Sequence, residues 1–387
     1  MGAQEQHSGR VVPVVSAITF LGFLDTHLLI PVIALYASGL GAGIGAVGLI
    51  VGLYSIVNTP ANIVFGRLID EVGHRAPLRA GLSGNVISMI LYAFSRTPLH
   101  LGLVRALHGL SGALVAPSTM SLVAHHSAGQ RRGRAMAFYG MAVASASLVG
   151  YPLSGFIATR LGYSALFFFG ASVVGLAVLL SFMLPYHAFA ATGARVHGNT
   201  LGGVRALITR RSLMPSYAAI FAQYFTFGGV VTLLPLHVEA LGMGPLEVGV
   251  LLATFSALFV ITQLPSGAIS DRVGRRVPMV AGLTCVIVSL TALPSLSGLP
   301  LLMVAMATYG VGYGLVFPSI SALIADHTNA EERGLATGLF HALLTAGVAI
   351  GAPVMGWLGG LTGTGIGLVL TAIPMLLALV VALRFGR

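Results

Sequence analysis

Lysine is absent from this chain of 387 residues: all 20 basic residues are arginine, set against 10 acidic ones. Charge of either sign is scarce, at 8% of residues, where a soluble domain carries about 25%. There is a single cysteine, Cys285, inside an apolar run; an internal disulfide is excluded and a core position is the simplest reading. No loop sets a nucleophile beside a base, and no GxxxxGKS/T phosphate loop occurs, so ATP hydrolysis within the chain is not expected and the protein does not read as an enzyme. No group of His, Cys and Asp has metal-ligand spacing, and no metal or other cofactor is expected. A non-transporting membrane receptor or sensor, which would be expected to add a signalling domain or long cytoplasmic tail, is not the expected class.

What remains is 56% hydrophobic, with a mean hydropathy of +0.94. One membrane helix needs about 20 apolar residues, so the chain has room for a dozen. The expected spans are 12–36, 46–66, 77–95, 99–125, 135–158, 164–185, 213–238, 246–267, 278–296, 299–325, 335–358 and 363–384. The first is too long for a cleavable signal and lacks a following cleavage site. A net charge of +10 could suggest nucleic acid, but the arginines are spread over loops between apolar runs. Odd-numbered gaps hold only Arg96 and Arg160; even-numbered gaps hold most of the rest. By the positive-inside rule both termini are cytoplasmic, in a multi-pass protein of the cell membrane. The partners expected are therefore a lipid bilayer and a small molecule, and not nucleic acid.

The segment from Gly66 to Leu78, GRLIDEVGHRAPL, returns at Gly267 to Met279 as GAISDRVGRRVPM, 201 residues on. The same offset relates Gly48 to Gly249, Pro117 to Pro318, Arg132 to Arg333, and Gly150, Pro152 and Gly155 to Gly351, Pro353 and Gly356. The expected fold is all-α: twelve transmembrane helices as two six-helix bundles in a parallel duplication. The expected division is 1–185 and 213–387, joined by a cytoplasmic linker over 186–212. Two such bundles can rock about a site at the membrane midplane.

These motifs make the chain resemble the major facilitator superfamily over essentially its full length. The signature of that family is the GxxxDxxGxR loop between spans 2 and 3, doubled here between spans 8 and 9. The second copy is complete; the first has Glu71 where Arg is usual. Arg105-Ala-Leu-His108-Gly109 in span 4 resembles the segment of proton-coupled members. Gly150-Tyr-Pro152-Leu-Ser-Gly155 is similar to the antiporter segment of span 5, with Tyr151 intervening. The resemblance implies alternating access driven by protons. It assigns gating to Gly66, Asp70, Gly73 and Arg75 and to Gly267, Asp271, Arg272, Gly274, Arg275 and Arg276, with Glu331, Glu332 and Arg333 as partners. Gly150, Pro152 and Gly155 would seal helix packing against the other half. A monomer is the expected working unit.

The duplication does not repeat two charges: Asp25 faces Thr226 across the offset, and Arg105 faces Met306. An ionisable group within a membrane helix costs roughly 2.5–3.5 kcal/mol on insertion scales, so function is the default reading. Asp25 is the candidate proton carrier and Arg105 the cation that tunes it; a purely structural Asp25–Arg105 ion pair is the alternative. The candidate cavity lining is Tyr36, Tyr54, Asn58, Asn62, His108, Gln223, Thr226, Gln263, Tyr309 and Tyr313, among phenylalanines. A mostly apolar wall suits lipophilic or amphipathic compounds. Proton-coupled efflux of such compounds is the expected function. A proton-linked importer, or an exporter of one metabolite such as an amino-acid derivative, a sugar or a metallophore, is the alternative.

Overall fold

The computed structural model describes residues 2–125, 131–184, 200–329 and 332–385. For residues 2–10, Arg67, Asp70, and residues 124–125, 131–134 and 200–202 it describes the backbone only. Among the described residues there are helices and no strands. α1 (Gly2–Leu29) and α2 (Ile33–Gly39) make the first membrane helix. They are separated at Pro31, which has no backbone N–H to continue the ladder. α3 (Ile44–Val72), α4 (Arg75–Ala93), α5 (Pro98–His125), α6 (Arg131–Leu161) and α7 (Tyr163–Phe182) complete the first bundle. The second bundle is α9 (Met214–Ala240), α10 (Pro245–Val273), α11 (Arg276–Ala292), α12 (Leu299–Asp326) and α13 (Arg333–Thr362), closed by α14 (Thr364–Leu370) and α15 (Ile373–Phe385) as one broken helix. Eleven spans are long and apolar enough to cross a bilayer. The twelfth, α4, falls short in composition because Arg75, Arg79 and Asn85 share its 19 residues. It nevertheless packs against α5 and α7, as α11 does against α12 and α15.

The expected linker is not all loop. Residues 200–209 form a further helix, α8 (Thr200–Thr209), docked on the second bundle, with Gly203 against Leu335. Residues 185–199 lie outside the described residues.

The 201-residue offset holds in three dimensions. The bundles meet along two seams, α3 with α13 and α10 with α6. A Cβ on Gly48 would sit 2.5 Å from the Ala352 carbonyl oxygen, and one on Gly155 2.5 Å from that of Pro245. Gly48 lies on Gly356 and Gly249 on Gly155, each pair backbone to backbone. Exchanging the bundles therefore exchanges the seams. Small residues permit this approach where lipid gives helices no hydrophobic reason to associate. Both seams lie toward the Arg-poor end of the molecule. Farther along the same helices, Gly66, Gly140, Gly267 and Gly338 have nothing within 4 Å of a built Cβ. The bundles are closed on each other at the Arg-poor end and loosen toward the Arg-rich end.

The doubled motif is mostly helix rather than loop, which corrects the sequence expectation. α3 and α10 continue six residues past Gly66 and Gly267, to Val72 and Val273. Asp70, Asp271 and Arg272 therefore lie on final helical turns. Only Gly73 (φ +81°) and Gly274 (φ +86°) make the turn, in a region that costs a residue with a Cβ. Arg75 and Arg276 already begin the next helices.

Candidate functional site: a buried carboxylate in the first bundle

Asp25 on α1 is fully buried. Its Oδ2 accepts from Asn85 Nδ2 of α4 at 2.9 Å and lies 3.2 Å from His108 Nε2 of α5. Its Oδ1 accepts from the Thr26 backbone N–H and from the Thr26 hydroxyl at 3.1 Å. His108 Nδ1 is 3.3 Å from the Tyr92 hydroxyl. A neutral His108 protonated at Nε2 satisfies this chain: it donates to Asp25 and accepts from Tyr92. The carboxylate thus sits among neutral donors and one titratable ring, with no arginine in ion-pair contact. The Asp25–Arg105 ion pair considered from sequence is not what forms.

Arg105 turns elsewhere. It is 4% exposed, and its guanidinium carbon stands 5.1 Å from the centroid of the Tyr54 ring, within reach of a cation–π attraction. The other edge of Tyr54 meets His108, at 5.2 Å between centroids. Tyr54 lies against Gly109 and Gly112 of α5, which lets the ring enter. One turn on from Tyr54, Asn58 donates to the Gly109 carbonyl at 3.0 Å, and Asn62 donates to Asn58 Oδ1 at 2.6 Å.

The second bundle holds the same geometry with the charge removed. Thr226 stands in place of Asp25, Tyr309 in place of His108 and Phe255 in place of Tyr54. The Tyr309 hydroxyl is 3.4 Å from Thr226 Oγ1, and the Phe255 and Tyr309 rings are 5.1 Å apart. Tyr313 joins them: its hydroxyl is 2.8 Å from that of Tyr309, 2.9 Å from Thr226 Oγ1, and donates to the Gln223 carbonyl. Duplication preserved the contacts, and substitution left the ionisable groups in one half.

Other expected residues fall into two groups. Asn62 and Gln263, equivalent by the offset, are half-buried on α3 and α10, where the seams loosen. Tyr36 is not with them: its hydroxyl donates to the Tyr92 and Ser95 carbonyls at 3.1 and 2.9 Å, pinning α2 to the Arg-poor end of α4. Gly150 packs on His27 and Leu24 of its own bundle, so the cross-bundle contact expected of the span 5 motif belongs to Gly155, with Pro152 between. Asn85, Tyr92 and Thr26 were not singled out from sequence, although Asn85 is a conspicuous polar residue in an apolar run. Nor was the Ser147–Ser256 hydroxyl contact of 2.7 Å, which ties α6 to α10 across the seam.

At the Arg-rich end, Arg275 bonds Asp271 and, at 3.0 Å, Asp326. Arg276 donates to the Leu383 carbonyl at 2.6 Å. Arg210 forks onto Glu332 at 2.6 and 2.9 Å. The hydrogen bond from Arg210 holds the Glu332 carboxyl below its ordinary range, and Asp271 and Asp326 together raise Arg275. The pairs of Arg275 stay within the second bundle, and that of Arg210 ties the end of the linker to the same bundle. Glu332 pairs with Arg210, a partner not named for it from sequence. The Asp70 side chain and Glu331 lie outside the described residues.

Two bundles of six helices related by a parallel pseudo-two-fold axis, with an ionisable cluster inside one, define a secondary transporter architecture. The sequence pattern of the Major Facilitator Superfamily matches residues 15–243 and 216–387, and the chain belongs to that family of multi-pass membrane transporters. It is 23% identical to an uncharacterized MFS-type transporter of Methanocaldococcus jannaschii, covering 89% of this chain and 90% of the relative. It is also 23% identical to the quinolone resistance protein NorB of Staphylococcus aureus, covering 89% and 86%. Its fold is similar to that of a bacterial homologue of the human lysosomal transporter Spinster, crystallised in an inward-facing, occupied conformation. The TM-score is 0.83 at 12% identity, over 98% of this chain and 97% of that one.

Proposed function

We propose that this transporter exports small lipophilic or amphipathic compounds in exchange for protons. The observation that carries the reading is the setting of Asp25. It is a fully buried carboxylate held by neutral donors and a titratable imidazole. Such a group gains or loses a proton without breaking an arginine ion pair. Similarity to NorB, a quinolone resistance protein, supports export of drug-like compounds. The phenylalanine and tyrosine walls of both bundles support an apolar cargo.

In this scheme the molecule works as a monomer with no cofactor, its termini and Arg-rich loops in the cytoplasm. Residues 1–185 and 213–387 are the rocking units and 186–212 the linker. Asp25 takes a proton while the cavity opens outward and releases it inward, as cargo moves the other way. Asp70 and Asp271 gate the cytoplasmic end.

The test is proton release from purified protein in weakly buffered detergent. The titrants are a lipophilic cation, a neutral amphiphile and a polar metabolite. Release by an amphiphile from the wild type, and none from Asp25→Asn, is expected. Binding with no release, or equal release from the variant, rejects exchange at Asp25.

A further inference from the structure

The ionisable cluster leaves one strong group unused. Arg105 is a permanent cation, 4% exposed, inside a membrane bundle. Its Nε and Nη1 have no hydrogen-bond partner among the described residues. No carboxylate lies within 4 Å of it among the described residues; the carboxylate one helix away, Asp25, is occupied by Asn85, His108 and Thr26. The groups beside the guanidinium are the Tyr54 ring and the Tyr92 hydroxyl. A cation–π contact of this kind is weak beside a charge-assisted hydrogen bond. An arginine within a membrane helix is costly to bury, and buried N–H groups without acceptors add to that cost. The contacts present do not offset the burial. The pseudo-symmetric position holds Met306, so the fold itself does not require a cation there.

We propose that Arg105 is the recognition site for an anionic headgroup on the transported compound, a carboxylate or a sulfonate, with Tyr54 stacking beneath the attached ring. The anion would complete the hydrogen-bonding of the guanidinium in a low-dielectric setting, where charge-assisted bonds are strongest. The substrate class becomes amphipathic anions and zwitterions: an apolar, commonly aromatic body for the walls and one acidic group for Arg105. This rests on the transporter reading but not on proton exchange, because it concerns what is bound and not what drives it.

The test is equilibrium binding in lipid nanodiscs at neutral pH with four probes sharing one ring system. They are naphthoate, naphthalenesulfonate, naphthamide and a naphthyl quaternary ammonium. Wild type should bind the two anions at least about tenfold more tightly than the amide, the scale of one hydrogen bond to a charged group. Arg105→Gln should lose that preference, binding the anions no more tightly than the amide. Arg105→Lys, which keeps the charge, should retain part of it and serves if the glutamine variant fails to fold. No preference for the anions in wild type, or an undiminished preference in Arg105→Gln, overturns the proposal. Proton uptake on anion binding would count against export by exchange and leave the anion site standing. Proton release without anion preference would do the reverse.

Discussion

The hydrogen-bond partners of Asp25 are not fixed charges, which is what the proposed proton exchange requires. Asn85 and Thr26 stay neutral at any pH, and His108 is the single neighbour in contact that can change its own charge. Carboxylate and imidazole share one buried site, with 3.2 Å between Asp25 Oδ2 and His108 Nε2. His108→Gln keeps an N–H donor for Asp25 but cannot accept a proton. We expect it to bind cargo as wild type does and to lose gradient-driven transport by about a hundredfold or more, the span typical of a positioned acid–base group. Transport against a gradient at the wild-type rate would confine proton coupling to Asp25. Asp25→Asn should abolish gradient-driven transport in proteoliposomes while leaving cargo counterflow, because the amide retains the shape and loses the titration.

At the scale of elements, the seams are where a small change has the largest reach. Gly155 and Gly249 meet backbone to backbone, so Gly155→Val must push α6 away from α10. The Ser147–Ser256 contact reports on that seam. With Cys285 replaced, the pair Ser147→Cys and Ser256→Cys should form a disulfide with mild oxidant, stop transport, and recover on reduction. Adding Gly155→Val should prevent the cross-link. Cross-linking that survives the valine would show that the seam does not depend on the glycine contact. α8 offers a pH test. Arg210 holds the Glu332 carboxyl below its ordinary value of 4.5, so the pair supports docking above that value. The support is lost as pH falls through the lowered one. Hydrogen exchange in α8, corrected for intrinsic rate, should be flat from about pH 7 to pH 5 and rise only once pH has fallen below the ordinary carboxyl value of 4.5. Glu332→Gln should remove the step. The change should be small, since both partners are one-third exposed and such pairs contribute little in water.

For the whole molecule, closure at one end and loosening at the other is one of two states that a rocking transporter must visit. Cysteines placed at Gly66 and Gly267, where nothing crowds a side chain, should label readily with a membrane-impermeant maleimide applied from the Arg-rich side. In a variant locked with the opposite end open, the rate should fall by about tenfold as the helix ends close on each other, a shift of roughly 1.4 kcal/mol in accessibility. Asp70→Asn should keep labelling fast in that background if Asp70 helps hold the gate. Slow labelling in the variant would remove Asp70 from gating.

The sequence by itself determined the membrane, the helix count and the duplication. Each is written in one-dimensional quantities: the length of apolar runs, the asymmetry of arginines between gaps, and a constant offset of 201 residues. It also marked Asp25 and Arg105, because a charge inside an apolar run is visible without coordinates. Only the tertiary structure decided that these two do not pair. Residues 25, 85, 92 and 108 come from three helices, α1, α4 and α5, and no spacing rule tells which side chain reaches a carboxylate first. The same limit hid the fate of the glycines: Gly150 and Gly155 look alike in sequence, yet helical phase turns one toward its own bundle and the other toward its partner. Periodicity tells which residues share a face, and packing decides what that face meets.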